Sequence, residues 1–346
     1  MSKIAAQLGC YILPGGGADP RDGLKQARIA EEIGLGAIWL GERFDTKDFP
    51  SILGAVSQVT ERIMLGLAVT PMNVRHPMVL ASTGQTLQAL CDGRFRMGFG
   101  KSADWRWQGY GIAEPKIASM RDVATLLRRL WTGEAITYDG PAGNFPMIKL
   151  PTILPIAPPP LYLAAVGPKT LKMAGAVYDG VILHPFLSVE AVANSARIVR
   201  EGAVEAGRDP ASVRIIAAVV SAPDLDERET RLAIHSRGAG YFHVNGLGDQ
   251  LVAINGWDPA DLAAYRNDPR ALAAGSKAID KALSRHELIE LTDAMPAHWI
   301  PSTSAMGSSA EVAFTLRKYI DAGADEIMIH GSTSDKLHGL VDAWNA

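Results

Sequence analysis

What this chain has little of narrows its possible functions early. It carries two cysteines, Cys10 and Cys91, too few for a disulfide framework, which points to a reducing compartment and a cytoplasmic protein. The opening Met-Ser-Lys-Ile-Ala-Ala-Gln lacks the long apolar region of a signal peptide, and no apolar run approaches the roughly 18 residues of a membrane helix. The formal charge is −3 and Lys and Arg form no run, so neither nucleic acid nor another polyanion is implied as a partner. Metal chemistry has no support, because no His-x-His pair lies on the first strand and no His/Cys/Asp cluster shows ligand spacing. A Gly-x-Ser-x-Gly nucleophile elbow is missing. The sixth strand carries no buried Lys, so a Schiff-base aldolase is disfavoured.

What is present is a regular alternation. Strand patterns fall at Ala5–Leu13, Ala37–Leu40, Ile63–Val69, Arg94–Gly98, Leu161–Ala165, Gly180–His184, Val213–Val220 and Glu326–His330, and helical periodicity separates them. Eight strands alternating with helices predict a single (β/α)8 TIM barrel over residues 1–346, of the α/β class. Helix signals agree. Asp19-Pro20-Arg21-Asp22 can open a helix that stops at Gly34, and Pro77 can be a first helical residue. Two segments interrupt the rhythm and read as insertions. Residues 133–160, after strand four, are rich in Pro and Gly and cannot be a regular helix. About 222–310, between strands seven and eight, carries helical stretches at Asp226–Gly238, Pro259–Tyr265, Ser276–Leu283 and His286–Ala294, and a Gly-rich patch at Val244–Gly248. This second segment is expected to roof a fairly apolar pocket, which suits a bulky or hydrophobic small-molecule substrate.

Barrels carry function at the C-terminal ends of their strands. Those ends hold Glu42 and Arg43; Thr70, Arg75 and His76; Lys101, Ser102, Asp104, Trp105 and Trp107; Val166 to Thr170; His184; and His330. Aromatics, a few cations and small residues suit a flat anionic cofactor. The stretch Ala165-Val166-Gly167-Pro168-Lys169-Thr170-Leu171 is the best anion site. Gly167 allows close backbone approach, Pro168 can start a helix, and the free N–H groups there point at a phosphate. The Gly-x-Gly of Arg94–Gly100 lacks a third glycine and is a weak dinucleotide signal. His184 is the first choice for an acid, since His is the usual proton carrier near neutral pH, with His330 a second choice.

Ile63–Pro77, Ala164–Pro168, Ala174-Gly175, Asp179-Gly180, the block Ala30–Arg43 and Ala322–Ile327 together resemble the bacterial-luciferase-like superfamily over nearly the whole chain outside the insertions. The nearest flavour is the branch that uses the deazaflavin coenzyme F420, with FMN monooxygenases as cousins. The resemblance implies hydride transfer between coenzyme F420 and an organic substrate. The alternatives are FMN-dependent oxygen activation or a non-catalytic flavin-binding barrel. It implies a non-prolyl cis peptide at Ala68–Val69 against the cofactor ring, with Thr70 beside it, cofactor contacts at Ala165 and Val166, and a phosphate on Gly167, Pro168, Lys169 and Thr170. Lys101 and Ser102 become further cofactor contacts. Glu42 and Asp104 become catalytic candidates beside His184, and Arg43, Trp105 and His76 substrate contacts. Sugar-phosphate dehydrogenases of this branch have a His after an acid at the second strand end and a Glu after strand four. Glu42-Arg43 and the neighbourhood of Ala103-Asp104 stand there instead, which argues against a glucose-6-phosphate reaction. Glu42 and Arg43 could pair with each other. Family members usually dimerise through helices two and three, so a homodimer using Ser51–Val59 and Met78–Leu90 is expected.

Overall fold

A computed structural model describes residues 4–14, 19–44, 46–101, 109, 111–273 and 279–346. The eight barrel strands are β1 (Ala5–Tyr11), β2 (Leu35–Leu40), β3 (Met64–Leu67), β4 (Phe95–Gly100), β5 (Leu161–Ala165), β6 (Gly180–Leu183), β7 (Arg214–Pro223) and β8 (Glu326–His330). Each pairs in parallel with the next, and β8 with β1, so the sheet closes. The expected (β/α)8 barrel is present.

Period-two alternation builds it. On β2, Ala37 and Trp39 face the bore, where they meet Tyr162, Ile182, Ile216, Ala218 and Met328. Ile38 and Leu40 face outward into the layer beneath the helices. Burying each such Leu or Ile contributes about 1.5–3 kcal/mol. Large residues in the bore need small neighbours. A Cβ on Gly66 would sit 2.2 Å from the Trp39 ring, so only glycine fits beside that indole.

The N-terminal end of the bore is charged. Arg96 of β4 donates to Glu326 of β8 at 2.6 Å, and Arg214 of β7 donates to the other carboxylate oxygen at 2.7 Å. The Arg96 guanidinium lies 5.9 Å from both the Trp39 and Tyr162 ring centroids. A recess of about 270 Å³ opens outward from this cluster, lined in part by Arg62.

The helices follow the sequence signals closely. Helix α1 (Arg21–Glu32) leaves through Gly34 at φ +92°. Helix α2 (Phe49–Ser57) is capped by Asp48. Helix α3 (Pro77–Leu90) starts at Pro77, as the sequence predicts, with His76 as its cap. After α4 (Ile117–Leu130), the Pro/Gly-rich insertion forms a hairpin, Ile136–Gly140 with Gly143–Ile148. It rests on α4 through the Tyr138 hydroxyl, which donates to Asp122 at 2.7 Å. Helices α5 (Pro168–Val177) and α6 (Val189–Glu205) follow β5 and β6.

Beyond β7 the chain makes its helical excursion, including helices Glu227–Ala233, His235–His243, Leu247–Asn255, Pro259–Arg266 and Arg285–Leu291. The short strand Ser304–Gly307 then pairs with the end of β7, and α7 (Ser309–Asp321) returns the chain to β8. An aromatic cluster fastens the excursion. Phe242 lies 4.9 Å from Trp299 and 5.7 Å from Phe186, and Trp257 stacks on Trp299 at 4.8 Å. Asn255 bridges the same junction, accepting from the Ser188 amide and donating to the Phe186 carbonyl. Among the described residues, no helix is long and apolar enough to cross a membrane.

Candidate active site at the barrel mouth

The ladder of β3 stops at Leu67 and pairing with β4 resumes at Thr70-Pro71. Between them the Ala68–Val69 peptide is cis, as the sequence resemblance implied. The Ala68 carbonyl accepts a 2.6 Å hydrogen bond from the Tyr11 hydroxyl at the end of β1. Around it the mouth is lined with small apolar groups. Ala68 is buried, and Val69 and Ala164 are half-buried against the bore. A Cβ on Gly100 would meet Val69 at 2.5 Å, so glycine keeps this wall flat.

Beside the wall, β5 ends at Ala165 and α5 begins. Gly167 is the N-cap with no side-chain capping bond, and Pro168 is the first residue. The Thr170 and Leu171 amides bond back to Gly167, which leaves the Lys169 amide as the outward donor of this first turn, with the exposed Lys169 ammonium beside it. The pieces fit a flat ring with a phosphate-bearing tail: a small-residue wall for the ring, and an uncapped helix start with a cation for the phosphate.

Glu42 does not hang free in the mouth. Its carboxylate accepts two bonds from Arg75, at 2.5 and 2.7 Å, and a 2.5 Å bond from the Thr70 hydroxyl, and its side chain is 1% exposed. Arg75 also reaches Asp48 at 3.1 Å and lies over the Phe49 ring. The expected pairing of Glu42 with Arg43 is therefore corrected: Glu42 pairs with Arg75 in a fork-to-fork geometry. Arg43 forms a backbone bridge with Lys47. Thr70 is fully buried with its hydroxyl turned to Glu42.

The other candidates spread out. His76 is exposed, caps α3 through Nδ1, and meets Phe145 of the hairpin edge-on at 5.0 Å. There it borders an outer cleft of about 620 Å³. Lys101 pairs with Glu114 at 2.5 Å. Ser102, Asp104, Trp105 and Trp107 lie outside the described residues.

Two histidines do face the mouth. The His184 Nδ1 sits 2.8 Å from the Pro185 carbonyl. A carbonyl only accepts, so Nδ1 carries the proton and Nε2 is left as an acceptor. Tyr241, from the excursion helix His235–His243, stands edge-on to the ring at 4.7 Å. Burial pushes the His184 pKa down to about 4, with the Pro185 bond opposing. His330 lies edge-on to Tyr11 at 4.6 Å, and its buried Nδ1 has no hydrogen-bond partner among the described residues. Burial, and then the nearby Arg237, His184 and Lys47, hold it well below the usual imidazole range.

Neutral histidines in the folded state link stability to pH. An unfolded histidine takes up its proton near about 6.5, while folded His184 waits until about 4. The folded state is therefore fully favoured above pH 6.5 and loses ground as pH falls from there towards 4. Urea unfolding at pH 7 and pH 5 should show a smaller loss for His184→Gln than for the unmodified chain. Equal losses would remove this account of the ring. Sequence reasoning missed Arg237 and Tyr241, because nothing local marks an excursion helix as reaching back over the mouth.

The luciferase-like monooxygenase profile matches residues 4–326. A 5,10-methylenetetrahydromethanopterin reductase of Methanolobus tindarius is 30% identical over 241 residues, covering 68% of this chain and 72% of the relative. An F420-dependent glucose-6-phosphate dehydrogenase of Amycolatopsis mediterranei is 24% identical over 341 residues, 93% and 92% of the two chains. By structure, the coenzyme F420-dependent tetrahydromethanopterin reductase of Methanopyrus kandleri superposes with a TM-score of 0.80 at 21% identity, covering 98% of each chain. An F420-dependent secondary alcohol dehydrogenase in complex with an F420–acetone adduct superposes with a TM-score of 0.72 at 18% identity, again covering 98% of each chain. With a profile matched along nearly its whole length and a barrel shared with these reductases, the chain belongs to the luciferase-like monooxygenase family.

Proposed function

We propose that this chain is a coenzyme F420-dependent oxidoreductase that transfers hydride between the deazaflavin and a small organic substrate. The observation that carries the reading is the flat wall of Ala68, Val69, Gly100 and Ala164 beside the uncapped start of α5 at Gly167-Pro168. When bound, the deazaflavin supplies a two-electron hydride carrier. Ala68 and Val69 back the ring. Ala165, Val166, Gly167 and Lys169 take the tail phosphate, with Thr170 closing that turn. Tyr11 holds the Ala68 carbonyl in place. His184, neutral and bare at Nε2, accepts a proton from a substrate hydroxyl, or returns it in the reverse direction. Glu42 acts through Arg75 and Thr70 by fixing the loop that carries the wall.

Reconstitution tests this reading. The purified chain should bind the deazaflavin with a saturable change in its fluorescence, and should bind FMN at least about tenfold more weakly, a difference of about 1.4 kcal/mol. Tight FMN binding with oxygen consumption would overturn it in favour of a flavin monooxygenase. A homodimer fits the apolar groups on the outer face of α3, where Val79 is 51% and Leu90 45% exposed, and light scattering reads it directly.

A further inference from the structure

The excursion brings one cation to the mouth that the cofactor reading does not use. Arg237 and Tyr241 are four apart on the helix His235–His243 and so share a face. Tyr241 of that face stands on His184. Between them, Gly238 is buried against Ile300 and Phe186, which presses the helix down over the strand ends. Arg237 is half-buried, and the one hydrogen bond it makes among the described residues runs from Nη1 to the Ala233 carbonyl one turn back on its own helix. No carboxylate among the described residues pairs with it. Among the described residues, two other arginines of the mouth and bore are paired: Arg75 with Glu42 and Asp48, and Arg96 with Glu326. Of the charges that bear on His330, Arg237 comes first, ahead of His184 and Lys47. The second cation near it, Arg285, stands exposed at the start of helix Arg285–Leu291.

A half-buried guanidinium with no counter-ion costs stability, and Arg237 also disfavours charge on the imidazole beside it. Such an arrangement is expected where an anion completes it. At the same mouth are His330, whose Nδ1 has no partner among the described residues, and His184, whose Nδ1 is taken by the Pro185 carbonyl, which leaves Nε2.

We propose that Arg237 binds the carboxylate of the substrate, and that this enzyme acts on small organic acids whose carboxylate docks on Arg237 with a hydrogen bond from His330. This names the substrate class of the site proposed above and rests on that reading. The guanidinium fork matches a planar carboxylate in two parallel bonds. An Nδ1–H tautomer of His330 adds a third donor. The reacting carbon is then held between the wall at Ala68–Val69 and His184. The apolar surroundings of Phe186 and Tyr241 suit an aromatic or aliphatic body behind the head group.

The test uses the full chain loaded with the deazaflavin at pH 7, with benzoate, benzamide and phenyl phosphate as probes. Calorimetry reads the affinity, and the imidazole nitrogen shifts of His330 report the place. Benzoate should bind and move the His330 signal, and benzamide should not bind. Arg237→Gln should weaken benzoate by at least about tenfold, the scale of a charge-assisted fork. Arg237→Lys should keep part of the affinity, and Arg285→Gln all of it. The melting temperature of Arg237→Gln should stay level or rise, since an unpaired charge is removed. Benzoate failing to bind, benzamide or phenyl phosphate binding as tightly as benzoate, or a clear fall in the Arg237→Gln melting temperature would each overturn the proposal. Deazaflavin fluorescence is followed separately in both proteins. Loss of cofactor binding in the unmodified chain would fail the oxidoreductase reading, whereas cofactor binding without benzoate binding would fail the inference on Arg237 alone.

Discussion

Glu42→Gln should lower the unfolding free energy by about 3 kcal/mol, the low end of what breaking a buried ion pair costs. The carboxylate is buried and satisfies Arg75 twice and Thr70 once. An amide in its place offers one acceptor oxygen, and turns an N–H group toward a guanidinium that only donates. Asp48 keeps part of the charge balance, since it also reaches Arg75. The loop after β3 should loosen with it, so deazaflavin binding should weaken in the same variant. Urea denaturation, extrapolated linearly to water, measures the first effect and cofactor fluorescence the second. The opposite pattern, a variant as stable as the unmodified chain that binds the cofactor normally and turns over nothing, would make Glu42 a catalytic residue after all.

Glu326→Gln should cost about 3–5 kcal/mol, because two arginines lose their shared counter-charge at once. Arg96 is the costlier partner, with its side chain 12% exposed; Arg214, at 47%, can turn to water. A double variant, Glu326→Gln with Arg96→Met, should recover much of the loss, because the buried Arg96 charge is gone and Arg214, which also loses its partner, can turn to water. That recovery is the sharper measurement. A double variant less stable than the single one would show that the pair itself, and not the stranded arginine, carries the stability. Cofactor affinity should change little in either protein, since the triad sits at the far end of the strands from the mouth.

Much of this was legible in the sequence, and the exceptions have physical causes. Strands Leu161–Ala165 and Glu326–His330 fall where the apolar runs place them, because each is bounded by polar or turn residues on both sides. The Gly-rich patch at Val244–Gly248 carries no helix signal, yet Leu247 and Gly248 begin a helix. Gly248 is there because a Cβ would come within 2.2 Å of the Phe242 carbonyl; it serves close packing, which local propensity cannot reveal. Ser304–Gly307 went unseen as a strand because Ser-Ala-Met-Gly has no β-branched residue, and its partner, the end of β7, supplies the order. At the mouth, the Gly167-Pro168 turn was visible because glycine and proline mark backbone shape directly, whereas the wall at Ala68–Val69 came from the family resemblance. The Glu42–Arg75 fork was not, because its two halves come from different strand ends. Arg237 is more distant still, separated from His184 by more than fifty residues and brought back by the aromatic cluster of Phe186, Phe242 and Trp299 together with the Asn255 bridge.

The plug of Trp39, Tyr162, Arg96 and Glu326 has a consequence for traffic. Among the described residues the bore is filled and its N-terminal end closed by that cluster, so molecules reach and leave the site from the strands' C-terminal side. Of two molecules inside, the outer one has to depart before the inner one can. If the ring lies on the wall at Ala68–Val69 and the acid comes to rest above it, under the helix that carries Arg237, the order of exit is set by depth alone. The organic product goes first and the spent coenzyme follows, so each turnover is a queue whose sequence was laid down when the barrel was corked.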